Sequence, residues 1–368
     1  MNTGNTLKTT INTIGGKTMK VGGKTMKANS NKKRLSVSFI CVLTVLAIIG
    51  APAAMAEVKL RMLSTWAAGT NDGIDLGAIP FAERVEELSG GEVTVEFFGP
   101  AAVPAFRQFD AIEHRVFDML FTHTAYHADS VKVGMGLDLA AGSAQVRREC
   151  GLTKAVNDAY LAQSNLSYLA QFPSGYGYRL YLAKAMNEEG GPLAGFRIRG
   201  TEFYNPIIHG MNASSVRVSS AEAYTAAQRG LLDGAFNGSG ALATLEKMSW
   251  NEVMSYAVEP DLGEVVYALF VNKDSWAELD EDVQKIIRQA IEETQVEHRE
   301  AGAERDRQGM EKFPDAGLEI VELKGADRKA FESFYYDGIA QNYVLDADPE
   351  HGPKIMKALK CVRDRSEG

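Results

Sequence analysis

From Trp276 to Phe313 the chain keeps a helical pattern with no proline to break it. Trp276, Leu279, Val283, Ile286, Ala290 and Thr294 recur at helical spacing behind Ser275, the expected N-cap, and polar helix formers carry the pattern onward. One helix of about thirty-eight residues, or two nearly collinear ones, would reach ~55 Å at ~1.5 Å rise per residue. A single small domain is narrower than that. Where the rest of a chain alternates strands and helices, such a helix most simply runs along two domains at once.

That alternation begins at Val58. Val58, Leu60 and Met62 alternate with polar residues as a half-buried strand. Pro80 opens a helix with Phe81, Val85 and Leu88 on one face, Gly90-Gly91 closes it, and Val93, Val95 and Phe97 alternate again. Strand–helix–strand is the unit of a parallel sheet. Further strands are expected over 116–121, 166–172, 196–199, 231–237, 265–271 and 318–323. Helices are expected over 106–113 and 155–163, behind the Ser219-Ser220-Ala221-Glu222 capping box, and from Asp327. With 368 residues and no linker rich in Pro or Ser, the expectation is an α/β protein of two domains whose chain crosses between them more than once.

Charge is divided unevenly. Residues 1–56 hold 8 Lys and Arg and no acid, which leaves 31 bases against 48 acids in 57–368. A body this acidic lacks the basic footprint that nucleic acid requires. Lys32-Lys33-Arg34, the apolar run 35–50 and Ala54-Met55-Ala56 are the three parts of a secretory signal, with cleavage expected after Ala56 and the mature protein in the periplasm. The apolar run is shorter than the ~20 residues of a spanning helix; an uncleaved anchor is the other reading. Two cysteines remain after residue 56, Cys150 and Cys361. Export permits a bridge between them, and their spacing does not decide it.

Motifs of catalysis are missing from the sequence. There is no phosphate loop, no CxxC and no HExxH, and Gly238-Ser239-Gly240 lacks the spacing of a nucleophile elbow. His123 and His127, four apart, would share a helix face and could ligate zinc, but no third ligand stands near. No catalytic residue, metal or cofactor is therefore expected. Two arginines are more informative. Arg179 follows Ser174-Gly175-Tyr176-Gly177-Tyr178, and Arg199 ends the strand Phe196-Arg197-Ile198-Arg199. A guanidinium is always charged and presents a planar fork that matches a carboxylate, so an arginine at a strand end can hold a small acid in a cleft; a surface or interdomain ion pair is the plainer alternative.

Three stretches carry a family resemblance: Gly195-Phe196-Arg197-Ile198-Arg199, the run from Ala223 to Asn237, and Asn272-Lys273-Asp274-Ser275-Trp276-Ala277-Glu278-Leu279. In that order, behind a signal peptide, they resemble the extracytoplasmic solute-binding proteins of tripartite ATP-independent periplasmic (TRAP) transporters, over residues 57–350. The resemblance implies a periplasmic-binding-protein fold: two α/β domains around a ligand cleft, hinge strands and a long domain-spanning helix. It implies domain I over 57–176 and 263–302 and domain II over 177–262 and 303–368. It places the ligand-carboxylate arginine on Arg199, an assisting arginine on Arg179 and a ligand-reaching asparagine on Asn237. Trp66, His123, Tyr126, Glu202, Phe203 and Ser220 fall at pocket-lining positions. Phe236 stands where the family has glutamate, and Arg115 where glycine is common. With Tyr176 and Tyr178, Trp66, Phe203 and Phe236 would suit a ligand with an apolar or ring portion.

The function implied is capture of a small-molecule carboxylate and its delivery to TRAP membrane permease subunits, by a monomer without enzyme activity. An exported metal-assisted hydrolase using His123 and His127, and the binding protein of an ATP-driven importer, are the rival readings.

Overall fold

The computed structural model describes residues 57–238 and 242–366, and the expected signal segment lies outside the described residues. The alternation at the front becomes β1 (Val58–Ser64). It pairs in parallel with β2 (Val93–Phe98) across α1 (Ile79–Leu88), and on its other edge with β3 (Met119–Thr122), which follows α2 (Gln108–Glu113). α3 (Ala144–Glu149) and α4 (Leu152–Gln163) lead into β4 (Leu166–Pro173). The chain then leaves this sheet for a second one, made of β5 (Tyr178–Leu182), β6 (Arg197–Arg199), β7 (Ser214–Val216) behind α5 (Asn205–Gly210), β8 (Gly234–Gly238) behind α6 (Ser220–Gln228), and β9 (Tyr256–Leu262) behind α7 (Leu242–Lys247).

It returns as β10 (Val266–Asn272), antiparallel between β3 and β4, so the first sheet reads β2-β1-β3-β10-β4. α8 (Lys273–Ala277) and α9 (Glu281–Glu311) follow, β11 (Glu319–Glu322) joins the far edge of the second sheet as β11-β9-β5-β8-β6-β7, and α10 (Gly325–Ile339) and α11 (Gly352–Ser366) finish the chain. β10 is buried along its whole length, as a central strand covered on both faces must be.

The long helical stretch resolves into the second of its two readings. Ser275 is not the cap. The Asn272 side chain accepts from the Asp274 and Ser275 amides and starts α8, and the chain restarts at Asp280 as the 31-residue α9. At ~1.5 Å per residue α9 reaches ~46 Å. It packs on α1 and β4 at one end, and at the other Met310, together with Phe313 just past the helix, joins the core of the second sheet.

The two sheets meet where the chain crosses between them, over 174–177 and 263–265. The crossings are bonded to each other, Ser174 N–H to the Val265 carbonyl at 2.9 Å and Val265 N–H to the Tyr176 carbonyl at 2.8 Å. Beside them lies Glu264, 2% exposed. Its Oε1 accepts from Gly175 N–H and Arg299 Nε, both at 3.0 Å, and its Oε2 from Gly142 N–H at 2.8 Å and Arg147 Nη2 at 3.0 Å. Arg147 is fully buried, and its remaining donors cap the carbonyls of Leu137, Ala140 and Gly142. α9 touches this crossing at backbone distance. A Cβ on Gly175 (φ +77°) would meet the Arg299 carbonyl, and one on Gly302 would strike the carbonyl of Ser174.

Arg115 takes φ 57°, which accounts for the glycine the family prefers there; its fork is held by Glu278 at 2.9 and 2.5 Å. α11, expected with the second domain, packs instead on α3 and α4, and Cys361 bridges to Cys150 across 211 residues of sequence. Cross-linking so long a loop restricts the unfolded chain, so the Cys150→Ser, Cys361→Ser double variant should lose ~2–4 kcal/mol of stability. Guanidinium unfolding with and without reductant measures this; an unchanged midpoint would remove the bridge from the account of stability.

Candidate functional site: an arginine in an aromatic cleft

The carboxyl ends of parallel strands in open α/β sheets converge on the crevice where ligands bind. Here β1 ends two residues before Trp66, β3 leads into His123 and Tyr126, β6 ends on Arg199, and β8 ends on Asn237 and Gly238. These side chains, with Ser220 at the start of α6, line a small inner chamber of about 40 Å³. A larger outer chamber of about 580 Å³ shares Trp66, Tyr126 and Ser220 with it. Ser219 and Glu222 form the capping box that the sequence announces, which sets Ser220 at the mouth between the two.

Arg199 is 3% exposed. Its Nε donates to the Val218 carbonyl at 3.0 Å and its Nη1 to the Phe236 carbonyl at 2.7 Å, and Trp250 lies under the guanidinium, 6.0 Å from its ring centre. Neither bond uses Nη2. No carboxylate of a described residue lies within ion-pair distance. A buried charge without a counter-charge is costly, and buried charges in folded proteins are usually paired. The arrangement fixes the fork, and the Glu222 carboxylate, held in its capping box, feels the charge without bonding to it.

Opposite stands a polar relay. The Ala125 amide donates to His123 Nδ1 at 3.2 Å, so the neutral ring carries its hydrogen on Nε2, and Nε2 lies 2.9 Å from Asp138 Oδ2 and 2.7 Å from the Tyr178 hydroxyl. Asp138 is itself held by the Val266 amide at 2.7 Å. Tyr176, Tyr204 and Tyr267 complete the walls. Burial pushes the phenols of Tyr176, Tyr178, Tyr204 and Tyr267 well up, so they stay neutral.

Of the residues expected from sequence, Arg199, Asn237, Trp66, His123, Tyr126 and Ser220 come together on the cavity. Four do not. Arg179 sits on the face of β5 opposite Tyr178, where Asp261 takes it at 2.5 Å and Met310 and Phe313 enclose it. Glu202 turns outward to Lys132 at 3.2 Å. Phe203 lies one layer behind, against Tyr178, Tyr204 and Tyr335. Phe236 stacks under Tyr204 at 4.6 Å and offers the site only its carbonyl. His127 and His123 do not converge on a metal. His127 points into the core, bonded to Tyr160 at 2.7 Å and stacked on Phe109.

Lining residues that sequence reasoning passed over are Asn71, Thr201, Tyr204, Val265 and Tyr267. Thr201 follows Arg199 by two, so strand alternation carried past the end of β6 would have found it. Asn71 looked like a loop residue, and nothing local distinguishes Tyr267 from a core position.

The sequence profile of the bacterial extracellular solute-binding proteins, family 7, matches residues 63–337. The chain belongs to that family. A solute-binding protein of Chromohalobacter salexigens is 29% identical over 206 residues, 55% of this chain and 58% of that relative. The C4-dicarboxylate-binding periplasmic protein of Rhodobacter capsulatus is 29% identical over 137 residues, 37% of this chain and 40% of the relative. The alignments thus span about half the length of these curated relatives. A TRAP periplasmic solute-binding protein of Desulfovibrio salexigens with bound orotic acid superposes with a TM-score of 0.71 at 22% identity, covering 83% of this chain and 99% of its own. One of Chromohalobacter salexigens with bound D-glucuronate gives 0.68 at 22%, covering 82% and 99%. The shared fold is the two-domain α/β periplasmic-binding-protein fold. Family 7 is a family of solute-binding proteins, not of enzymes.

Burial holds the family 7 protein's His127 imidazole down at about 3, with the His123 ring adding to it. The unfolded chain takes up that proton below about pH 6.5 and the folded chain does not, so this histidine draws stability down as pH falls from about 6.5 toward 3. In thermal melts from pH 8 to 4, His127→Gln should narrow the gap between the neutral and acid midpoints. Parallel curves for variant and wild type would count against the assignment.

Proposed function

We propose that this protein is a periplasmic receptor that captures a small organic acid on Arg199 and hands it to TRAP membrane permease subunits. The observation that carries the reading is the buried Arg199 guanidinium, anchored on two carbonyls and lacking any carboxylate partner among the described residues. The ligand's carboxylate supplies that partner. Asn237 and Ser220 lie on the same cavity and offer further polar contacts. The receptor works as a monomer of two lobes, 57–176 with 263–302 and 177–262 with 303–368, except that the last helix sides with the first lobe. The lobes close on the acid because the closed form gains contacts that the open form lacks. Export proceeds through a signal cleaved after Ala56.

Relatives support the reading by the company they keep: orotate, D-glucuronate and L-galactonate are all carboxylates, found in proteins of this fold. A screen of organic acids by thermal shift finds the ligand, since saturation at about a hundred times Kd stabilises by ~2.7 kcal/mol. Removing one partner of a buried charge pair costs ~3–5 kcal/mol. Titration calorimetry on Arg199→Ala should therefore show binding weaker by about two to three powers of ten. An affinity within about threefold of wild type would discard Arg199 as the anchor.

A further inference from the structure

We propose that the cleft is built for a planar, ring-bearing monocarboxylate, its acid group on Arg199 and its ring against the wall formed by Trp66, Tyr126 and Tyr267. The proposal rests on the reading of Arg199 as a carboxylate anchor and adds the class of acid.

The first argument is charge. Among the described residues lining the inner chamber, Arg199 is the one permanent cation and none is a carboxylate. A dicarboxylate needs a second cation. Arg179 does not reach the chamber and is taken by Asp261 at 2.5 Å. In the outer chamber Lys247 is paired with Asp75 at 2.7 Å, and Glu222 contributes a negative charge fixed in its capping box. An acid group extending outward from Arg199 meets Glu222 rather than a free cation, and like charges brought together discriminate against such a ligand.

The second argument is hydrogen bonding. A sugar acid presents several hydroxyls, each of which loses water on entry and needs a partner. Three of the five phenols here are already engaged: Tyr176 with Tyr267 at 3.2 Å, and Tyr178 with His123 at 2.7 Å. Asn71 is likewise engaged, its side-chain oxygen accepting from the Gly73 amide at 2.8 Å. Asn237, Ser220, Thr201 and the Tyr126 and Tyr204 hydroxyls are left, and the carboxylate and a ring substituent draw on this set before the several hydroxyls of a polyol could be served.

The third argument is shape. Trp66 meets Tyr126 at 5.5 Å and 83°, and Tyr267 at 5.4 Å and 85°. Phe106 lies against Tyr126 at 4.9 Å and Phe121 is stacked on Tyr267 at 5.7 Å, so the half-buried Trp66 ring is the broadest surface on which a planar guest can stack. Beyond them the outer chamber continues between Pro100, Pro104 and Phe106, an apolar continuation for ring substituents.

The test is calorimetric titration of the purified protein, unfolded and refolded to strip carried ligand, with phenylacetate, succinate and gluconate. Phenylacetate should bind at least tenfold tighter than either of the others. Trp66→Leu should weaken phenylacetate about fivefold and any residual gluconate affinity by a smaller factor; Tyr126→Leu does the same job if the first variant misfolds. Succinate or gluconate binding as tightly as phenylacetate overturns the ring proposal and leaves the carboxylate reading standing. Binding of none of the three also overturns it. Mass spectrometry of the small molecule released from freshly purified protein then decides the broader reading: a carboxylic acid keeps it, a molecule without an acid group ends it.

Discussion

The Glu264 carboxylate holds the architecture at its narrowest place. It is buried on one of two crossings between the sheets, and its four acceptor bonds reach Arg147 of α3, Gly142 just before that helix, Gly175 of the other crossing and Arg299 of α9. An ionised carboxylate in such a place is tolerable only because Arg147 and Arg299 neutralise it and backbone amides fill its lone pairs; leaving one partner out would strand a buried charge at a cost of ~3–5 kcal/mol. Hydrophobic burial makes each half, but it is direction-blind. The Glu264 network sets the angle at which the halves meet, since hydrogen bonds fail when geometry drifts.

The site inherits its accuracy from that junction. Arg199 comes from the second sheet, His123 and Trp66 from the first, and Val265 and Tyr176 from the crossings themselves. No one half holds a complete cavity. α9 approaches the crossing at backbone distance, Gly302 against the Ser174 carbonyl and Gly175 against the Arg299 carbonyl.

Much of this was legible from the amino-acid order. The strand and helix alternation, the capping box at Ser219 and the strand-end position of Arg199 are local signals, and they came through. Arg199 lines the cavity at the strand end where direction and charge type, both readable in sequence, put it. Arg179 lies off the cavity for an equally physical reason: alternation along β5 puts it on Tyr181's side of the sheet, where Asp261, eighty-two positions away, pairs with it. Phe203 and Phe236 were placed one layer too far forward, because a pattern tells buried from exposed but not a wall from the packing behind it. Tyr267 and Asn71 enter the cavity only through tertiary packing, and no window of sequence contains that. Asn272 took the cap from Ser275 because an amide side chain reached two amides at once, an outcome of local competition that residue type alone leaves open.

Between Cys150 and Cys361 the chain is a covalent ring. Every strand of the second sheet, both crossings and the whole of α9 lie on that ring, and its two sewn ends both sit against the first sheet's helices. The second half of the molecule is in this sense an excursion that begins and ends on the first. A protease that cut one exposed loop within it would open the ring without freeing a fragment, and the pieces would stay at each other's effective concentration, able to close the same cleft again.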